Sequence, residues 1–109
     1  IGLCNQAFFA HMKPGSIFIN AGRGSVIDTP ASIINALESH RLQAAVLDVY
    51  EQEPLPANHP YYSTCQLYLS CHTAAISDPQ KVFSVFEKNA ANYIAGEALL
   101  YRHDFAAGY

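Results

Sequence analysis

Three short apolar runs, separated by polar or glycine-rich loops, punctuate this chain, and helical periodicity fills the spaces around them. Asn5 is a good helix cap, and Gln6 to Met12, with Ala7, Phe8, Phe9 and Met12 apolar, reads as a short helix stopped by Pro14 and Gly15. Ser16 to Asn20 follows, and its Ile17-Phe18-Ile19 centre predicts a strand buried on both faces. From Pro30 to His40, Ile33, Ile34 and Leu37 recur at helical spacing with Asn35, Glu38, Ser39 and His40 opposite, so an amphipathic helix lies on a sheet there, capped by Asp28 or Thr29. Gln43 to Val49 shows little polar alternation, as expected of a parallel strand covered on both faces. Strand, helix, strand at this spacing is a parallel crossover unit.

After Asp48 the pattern breaks. Glu51 to Pro60 holds Pro54, Pro56 and Pro60 and cannot be regular structure, while Tyr61 and Tyr62 argue that it is ordered, since aromatic side chains seek burial. Gln66 to Ser70 makes a third strand, followed by Cys71-His72-Thr73-Ala74-Ala75. Asp78 and Pro79 open a long helix to about Ala95, with Val82, Val85, Phe86, Ala90, Tyr93 and Ile94 in one apolar stripe and Gly96 as its stop. The tail from Glu97 to Tyr109 has no clear period, and its aromatic content suggests docking onto a further domain.

This order predicts an α/β fold with a parallel sheet, and its topology carries the functional reading. The C-terminal ends of parallel strands share one edge, where open α/β sheets bind ligands. A chemically active group follows each strand: Arg23 after the first, Asp48 and Glu53 after the second, His72 after the third. Gly22 and Gly24 flank the arginine and allow the backbone a close approach to a ligand. A guanidinium offers a planar fork for a carboxylate, an imidazole moves protons, and a carboxylate orients the imidazole. Asp48 ends an apolar strand, where an acid is costly to bury without a partner. Taken singly, Arg23 is also compatible with a solvated loop arginine, Glu53 with a surface charge and His72 with a satisfied strand-end histidine.

Composition narrows the partners. The chain has 109 residues, half of them apolar, and 14% are charged, enough for one core. Its net charge of −3 gives no general attraction to phosphate backbones, so nucleic acid is not an expected partner. No apolar run has the length of a membrane span. Cys4, Cys65 and Cys71 lack CxxC spacing and read as small apolar fillers, Cys71 also as a thiol partly exposed in a site. Neither disulfides nor a metal centre are expected, and the cytoplasm is the expected compartment.

Several coupled motifs then meet in one order: Lys13-Pro14-Gly15-Ser16, Asn20-Ala21-Gly22-Arg23-Gly24 with Asp28, Leu47-Asp48-Val49-Tyr50-Glu51-Gln52-Glu53-Pro54-Leu55-Pro56 with His59-Pro60, and His72-Thr73-Ala74-Ala75. Together they resemble the D-isomer-specific 2-hydroxyacid dehydrogenases from residue 1 to about residue 77. The closing segment, with Asp104 and Gly108-Tyr109, is similar to the branch that reduces glyoxylate and hydroxypyruvate.

The resemblance implies the C-terminal half of a doubly wound, Rossmann-like dinucleotide-binding domain over residues 1–77. Residues 78–109 would return toward a substrate domain. It implies hydride transfer between NAD or NADP, the branch favouring NADP, and a small 2-oxo acid in a full-length homodimer. Arg23 would hold the substrate carboxylate and polarise its carbonyl. His72 would donate the proton, and Glu53 would hydrogen-bond the imidazole and keep it protonated. Asp48 would meet the nicotinamide carboxamide, and Ala21, Gly22, Arg23, His72 and Ala74 would line that half of the cofactor. Cys71 stands where the family usually has proline. The glycine-rich GxGxxG loop is absent, so a preceding portion is expected to carry it, and the 109 residues alone are expected to be inactive. The alternative is a dinucleotide-sensing interaction protein like the family's corepressors.

Overall fold

A computed structural model describes residues 1–106, so the expected contribution of Gly108 and Tyr109 lies outside the described residues. The chain divides into two compact units, Ile1–Ala75 and Ile76–Tyr109. In the first unit, helix α1 (Gln6–His11), strand β1 (Ser16–Asn20), helix α2 (Pro30–Glu38), strand β2 (Leu42–Leu47) and strand β3 (Leu67–Leu69) follow one another. The strands form one parallel sheet in the order β1-β2-β3. Both the element order and the parallel pairing match the sequence expectation of a Rossmann-like half.

Local chemistry sets the helix ends. Asn5 caps α1 through its side chain, which accepts from the Phe8 amide at 2.9 Å. Thr29 is the N-cap of α2, with Pro30 in the first turn, and its hydroxyl meets the Ser32 hydroxyl at 3.1 Å. Asp28 assists from one residue upstream, accepting from the Thr29 amide at 2.7 Å.

The core lies between these helices and one face of the sheet. Phe9 and Ile33 are fully buried there with Leu42, Ala45 and Leu47 of β2, and the Phe18 ring of β1 meets Phe9 edge to face at 5.1 Å. Leu42 and Ala45 have opposite parity along β2 yet share the buried face. The register explains this: Ser16 pairs with Leu42 but Ile17 with Ala44, so Gln43 is an extra residue that flips the strand over.

The opposite face corrects one expectation. Strands covered on both sides were expected, whereas Ile17 and Ile19 are 56% and 68% exposed and Tyr68 is exposed beside them. A run of three apolar residues has the composition of a strand buried on both faces, but the helices of this unit pack on only one. The second strand also ends earlier than expected, at Leu47, leaving Asp48 and Val49 in the turn beyond it.

The proline-rich loop is ordered, as Tyr61 suggested. Pro60–Ser63 forms a 3-10 turn that buries the Tyr61 ring, which His59 meets edge to face at 4.4 Å. Of the cysteines, Cys4 is the buried filler that was expected. Cys65 and Cys71 are not, because both sit in the exposed turns that flank the short β3.

The second unit is built on helix α3 (Pro79–Ala95), capped by the Asp78 carboxylate, which accepts from the Gln80 amide at 3.0 Å. Gly96 ends it at φ 71°, a left-handed conformation that glycine adopts without penalty. The first residues of the tail fold back along this helix: Asn89 pairs in both directions with the Leu100 backbone, and Asn92 donates to the Ala98 carbonyl. Val82, Phe86, Tyr93 and Ile94 of the apolar stripe are exposed.

The two faces of the sheet should respond differently to truncation. Ile33→Ala is expected to lower the unfolding free energy by about 2–5 kcal/mol through the cavity it leaves. Ile19→Thr should change it by less than about 0.5 kcal/mol, both read from urea denaturation.

Candidate active site

Because the strands are parallel, the turns after β1, β2 and β3 all emerge at one edge of the sheet. They carry Arg23, Asp48 with Glu53, and His72 respectively. The turn after β1 is shaped by Asn20, a buried side chain at the end of the strand. Its amide nitrogen donates to the Arg23 carbonyl at 3.0 Å, and its oxygen accepts from the Gly22 amide at 3.1 Å. Gly24 lies against the turn after β2, since a Cβ placed on it would stand 1.9 Å from the Tyr50 carbonyl carbon. The close approach expected of this glycine is therefore made to the chain itself.

Asp48, one residue beyond β2, is 4% exposed, and its partners come from the turn after β3. Oδ1 accepts from the Ser70 hydroxyl and, at 2.9 Å, from the Thr73 amide. Oδ2 accepts from the Ala74 amide at 2.9 Å. The Ser70 hydroxyl first, then the two amides, hold this carboxyl well below the usual 3.8, at about 2. The backbone adds to the tie, because the His72 amide donates to the Asp48 carbonyl at 2.7 Å. His72 is left at φ 55°, a conformation sparsely populated by residues with a Cβ.

Glu53 and His72, nineteen residues apart, are brought together: Nδ1 of the imidazole lies 2.8 Å from Oε2 of the carboxylate. The other carboxylate oxygen, Oε1, accepts from the Tyr50 amide at 2.9 Å. The hydrogen bond with His72, followed by that from Tyr50, lowers the Glu53 carboxyl from its ordinary value. With Nδ1 turned to Glu53, Nε2 is the ring nitrogen free to meet another molecule. Arg23 is exposed, and among the described residues it makes no ion pair; one guanidinium nitrogen donates to the Gly22 carbonyl at 2.9 Å. It shares the edge with Asp48, Glu53 and His72, and among the described residues no hydrogen bond or ion pair joins its side chain to theirs.

Ala21, Gly22 and Ala74 are exposed at the same edge. Small side chains there leave room for a flat ring, and Oδ2 of Asp48, with one donor, keeps acceptor capacity for an amide N–H. These features fit a nicotinamide carboxamide. Sequence reasoning missed the supports: Asn20, Ser70, Thr73 and above all Tyr50. Asn20, Tyr50 and Thr73 stand within the family-like motifs, but no spacing announces where their side chains turn. Among the described residues no three histidine, cysteine or acidic side chains cluster to hold a metal ion.

Residues 1–74 match the family model described as D-isomer specific 2-hydroxyacid dehydrogenase, NAD binding domain. Glyoxylate/hydroxypyruvate reductase A of Serratia proteamaculans is 40% identical over 97 residues, 89% of this chain and 30% of that protein. A D-isomer specific 2-hydroxyacid dehydrogenase from Xanthobacter autotrophicus, solved with NADPH and MES, superposes with a TM-score of 0.90 at 37% identity, over 99% of this chain and 44% of the other. An NADPH-dependent glyoxylate/hydroxypyruvate reductase from Sinorhizobium meliloti, solved with NADP and sulfate, gives 0.87 at 35% identity, over 99% of this chain and 35% of the other. The chain thus spans between 30% and 44% of the length of these relatives.

The Asp48 network makes a prediction about acid stability. A carboxyl whose value is lowered by folding contributes stability that is complete above its unfolded value and lost as the pH falls through its folded one. The Asp48 contribution should therefore fade between 3.8 and about 2. Asp48→Asn, which puts an amide against the Thr73 or Ala74 donors, should lower the urea midpoint at neutral pH and flatten its decline across that acid window.

Proposed function

This chain belongs to the D-isomer specific 2-hydroxyacid dehydrogenase family, within its NAD binding domain, and on that premise we propose that it is the nicotinamide-side, C-terminal part of a reductase of small 2-oxo acids. The family takes its name from small 2-hydroxy acids, and glyoxylate or hydroxypyruvate is the proposed 2-oxo partner, by likeness to the reductases described above. In this reading residues 1–77 complete a Rossmann domain and residues 78–109 lead back toward a substrate domain. The observation that carries it is the 2.8 Å contact between His72 and Glu53 at the C-terminal edge of the sheet.

Reducing a ketone adds a hydride to carbon and a proton to oxygen, with negative charge building on that oxygen in between. The bound nicotinamide supplies the hydride. His72 delivers the proton through Nε2, since Nδ1 is turned to Glu53. Glu53 aims the imidazole through its contact with Nδ1. Arg23, whose guanidinium keeps most of its five donors, binds the substrate carboxylate and stabilises charge on the carbonyl oxygen. Asp48 accepts from the carboxamide, while Ala21, Gly22 and Ala74 leave space for the ring. NADP is favoured over NAD because three of the similar solved structures hold NADPH or NADP. The full-length protein is proposed to act in the cytoplasm as a homodimer; among the described residues no helix is long and apolar enough to cross a membrane.

The test is oxidation of NADPH and NADH by the full-length polypeptide with glyoxylate, hydroxypyruvate and pyruvate. Tight cofactor binding without turnover on any of them would replace the enzyme with the sensor reading. His72→Ala should lower turnover by about two to four orders of magnitude with cofactor affinity retained. Arg23→Ala should chiefly raise the KM for the 2-oxo acid, and an unchanged KM and rate would remove it from the site. The 109 residues by themselves should show no micromolar NADPH binding by titration calorimetry.

A further inference from the structure

Tyr50 stands in the turn after β2 and meets the turns after β1 and β3, at Gly24 and Ser70, without belonging to the group proposed to do the chemistry. Its hydroxyl, with one hydrogen to give, lies 2.7 Å from the Ser70 carbonyl and 3.0 Å from the Leu47 carbonyl. The phenol thus closes the seam where β2 and β3 end, beside the bond from the Ser70 amide to the Leu47 carbonyl. Its amide grips Oε1 of Glu53, leaving Oε2 to face His72. Its backbone also fills the space that a side chain at position 24 would need, next to the Arg23 turn.

Glu53 needs such support. It projects from a loop interrupted by prolines, and its contact with His72 is half exposed, the side chains being 35% and 55% accessible. An exposed pair held by one hydrogen bond is worth little and wanders. A carboxylate held at both oxygens presents a fixed edge.

We propose that Tyr50 is a positioning residue whose hydroxyl, anchored on Ser70, fixes the turn that presents Glu53 to His72. The phenol does this and the ring does not: phenylalanine would fill the same partly buried space but leave the Ser70 carbonyl without this donor. Burial first, then nearby negative charge, raises the Tyr50 hydroxyl above its ordinary value, so it keeps its proton at neutral pH. The proposal rests on the reading of Glu53 and His72 as the proton-moving pair.

The test compares the full-length protein with its Tyr50→Phe variant by NMR. In the unsubstituted protein the Tyr50 amide should exchange with deuterium at least about tenfold more slowly than the Gln52 amide, and the His72 Nδ1–H proton should be visible downfield. In Tyr50→Phe, with the Ala45 and Val46 amide shifts of β2 unchanged, the Tyr50-position amide should exchange about tenfold faster and the downfield proton should disappear. Unchanged exchange and an unchanged ring proton would overturn the proposal. If the variant loses the Ala45 and Val46 shifts, the unsubstituted protein decides: a Tyr50 amide that exchanges as fast as that of Gln52 overturns it, and a protected one supports it. In the full-length enzyme Tyr50→Phe should lower kcat by about 3- to 30-fold with KM for the 2-oxo acid within twofold. The spectra are read without turnover, so an inactive parent enzyme with the expected spectra defeats the reaction, while unchanged spectra in an active variant defeat the role of Tyr50.

Discussion

One carboxylate joins the two strand ends on which the site depends. Asp48 leaves β2 and is met by the Ser70 hydroxyl and by the Thr73 and Ala74 amides, all from the turn beyond β3. Burying that charge without donors would be costly, so the turn after β3 is pulled over it, and the turn carries His72. The backbone bond from His72 to the Asp48 carbonyl works in the same direction. The imidazole is thereby placed by a carboxylate other than the one it contacts. A left-handed residue beyond the strand end is tolerated because Ser70 before it and Thr73 after it are already held.

Around this tie the remaining groups are arranged by the shortest connections the chain allows. Asn20 folds the arginine turn on itself, and Gly24 lets that turn lie flat against the backbone at Tyr50. The proline-bearing loop could have run anywhere over the surface. The buried Tyr61 ring and the grip of the Tyr50 amide on Glu53 return it to the sheet edge. Parallel topology supplies the common edge, and a few polar contacts supply the aim.

Much of this is legible in the sequence because it is local. The caps at Asn5 and Asp78, the stop at Gly96 and the three strands follow from spacing and from what each residue type can do at a helix end. The meeting of Glu53 and His72 was legible only through topology and family likeness. What escaped is what depends on register. The extra residue at Gln43, which lets Leu42 and Ala45 share a face, has no signature in composition. The direction of the Tyr50 hydroxyl depends on where β3 ends, twenty residues away. The open face of the sheet escaped for a different reason: Ile17 and Ile19 have the character of covered residues whether or not a cover is at hand.

That open face has a colloidal consequence. β1 is hydrogen-bonded on one side only, so the first unit ends in a bare strand edge beside exposed isoleucines, and a net charge of −3 offers little repulsion between copies. Such an edge is open to pairing with the backbone of another copy, the more so the higher the concentration. Handling these residues in isolation therefore calls for dilute conditions, or for a lysine placed on that rim.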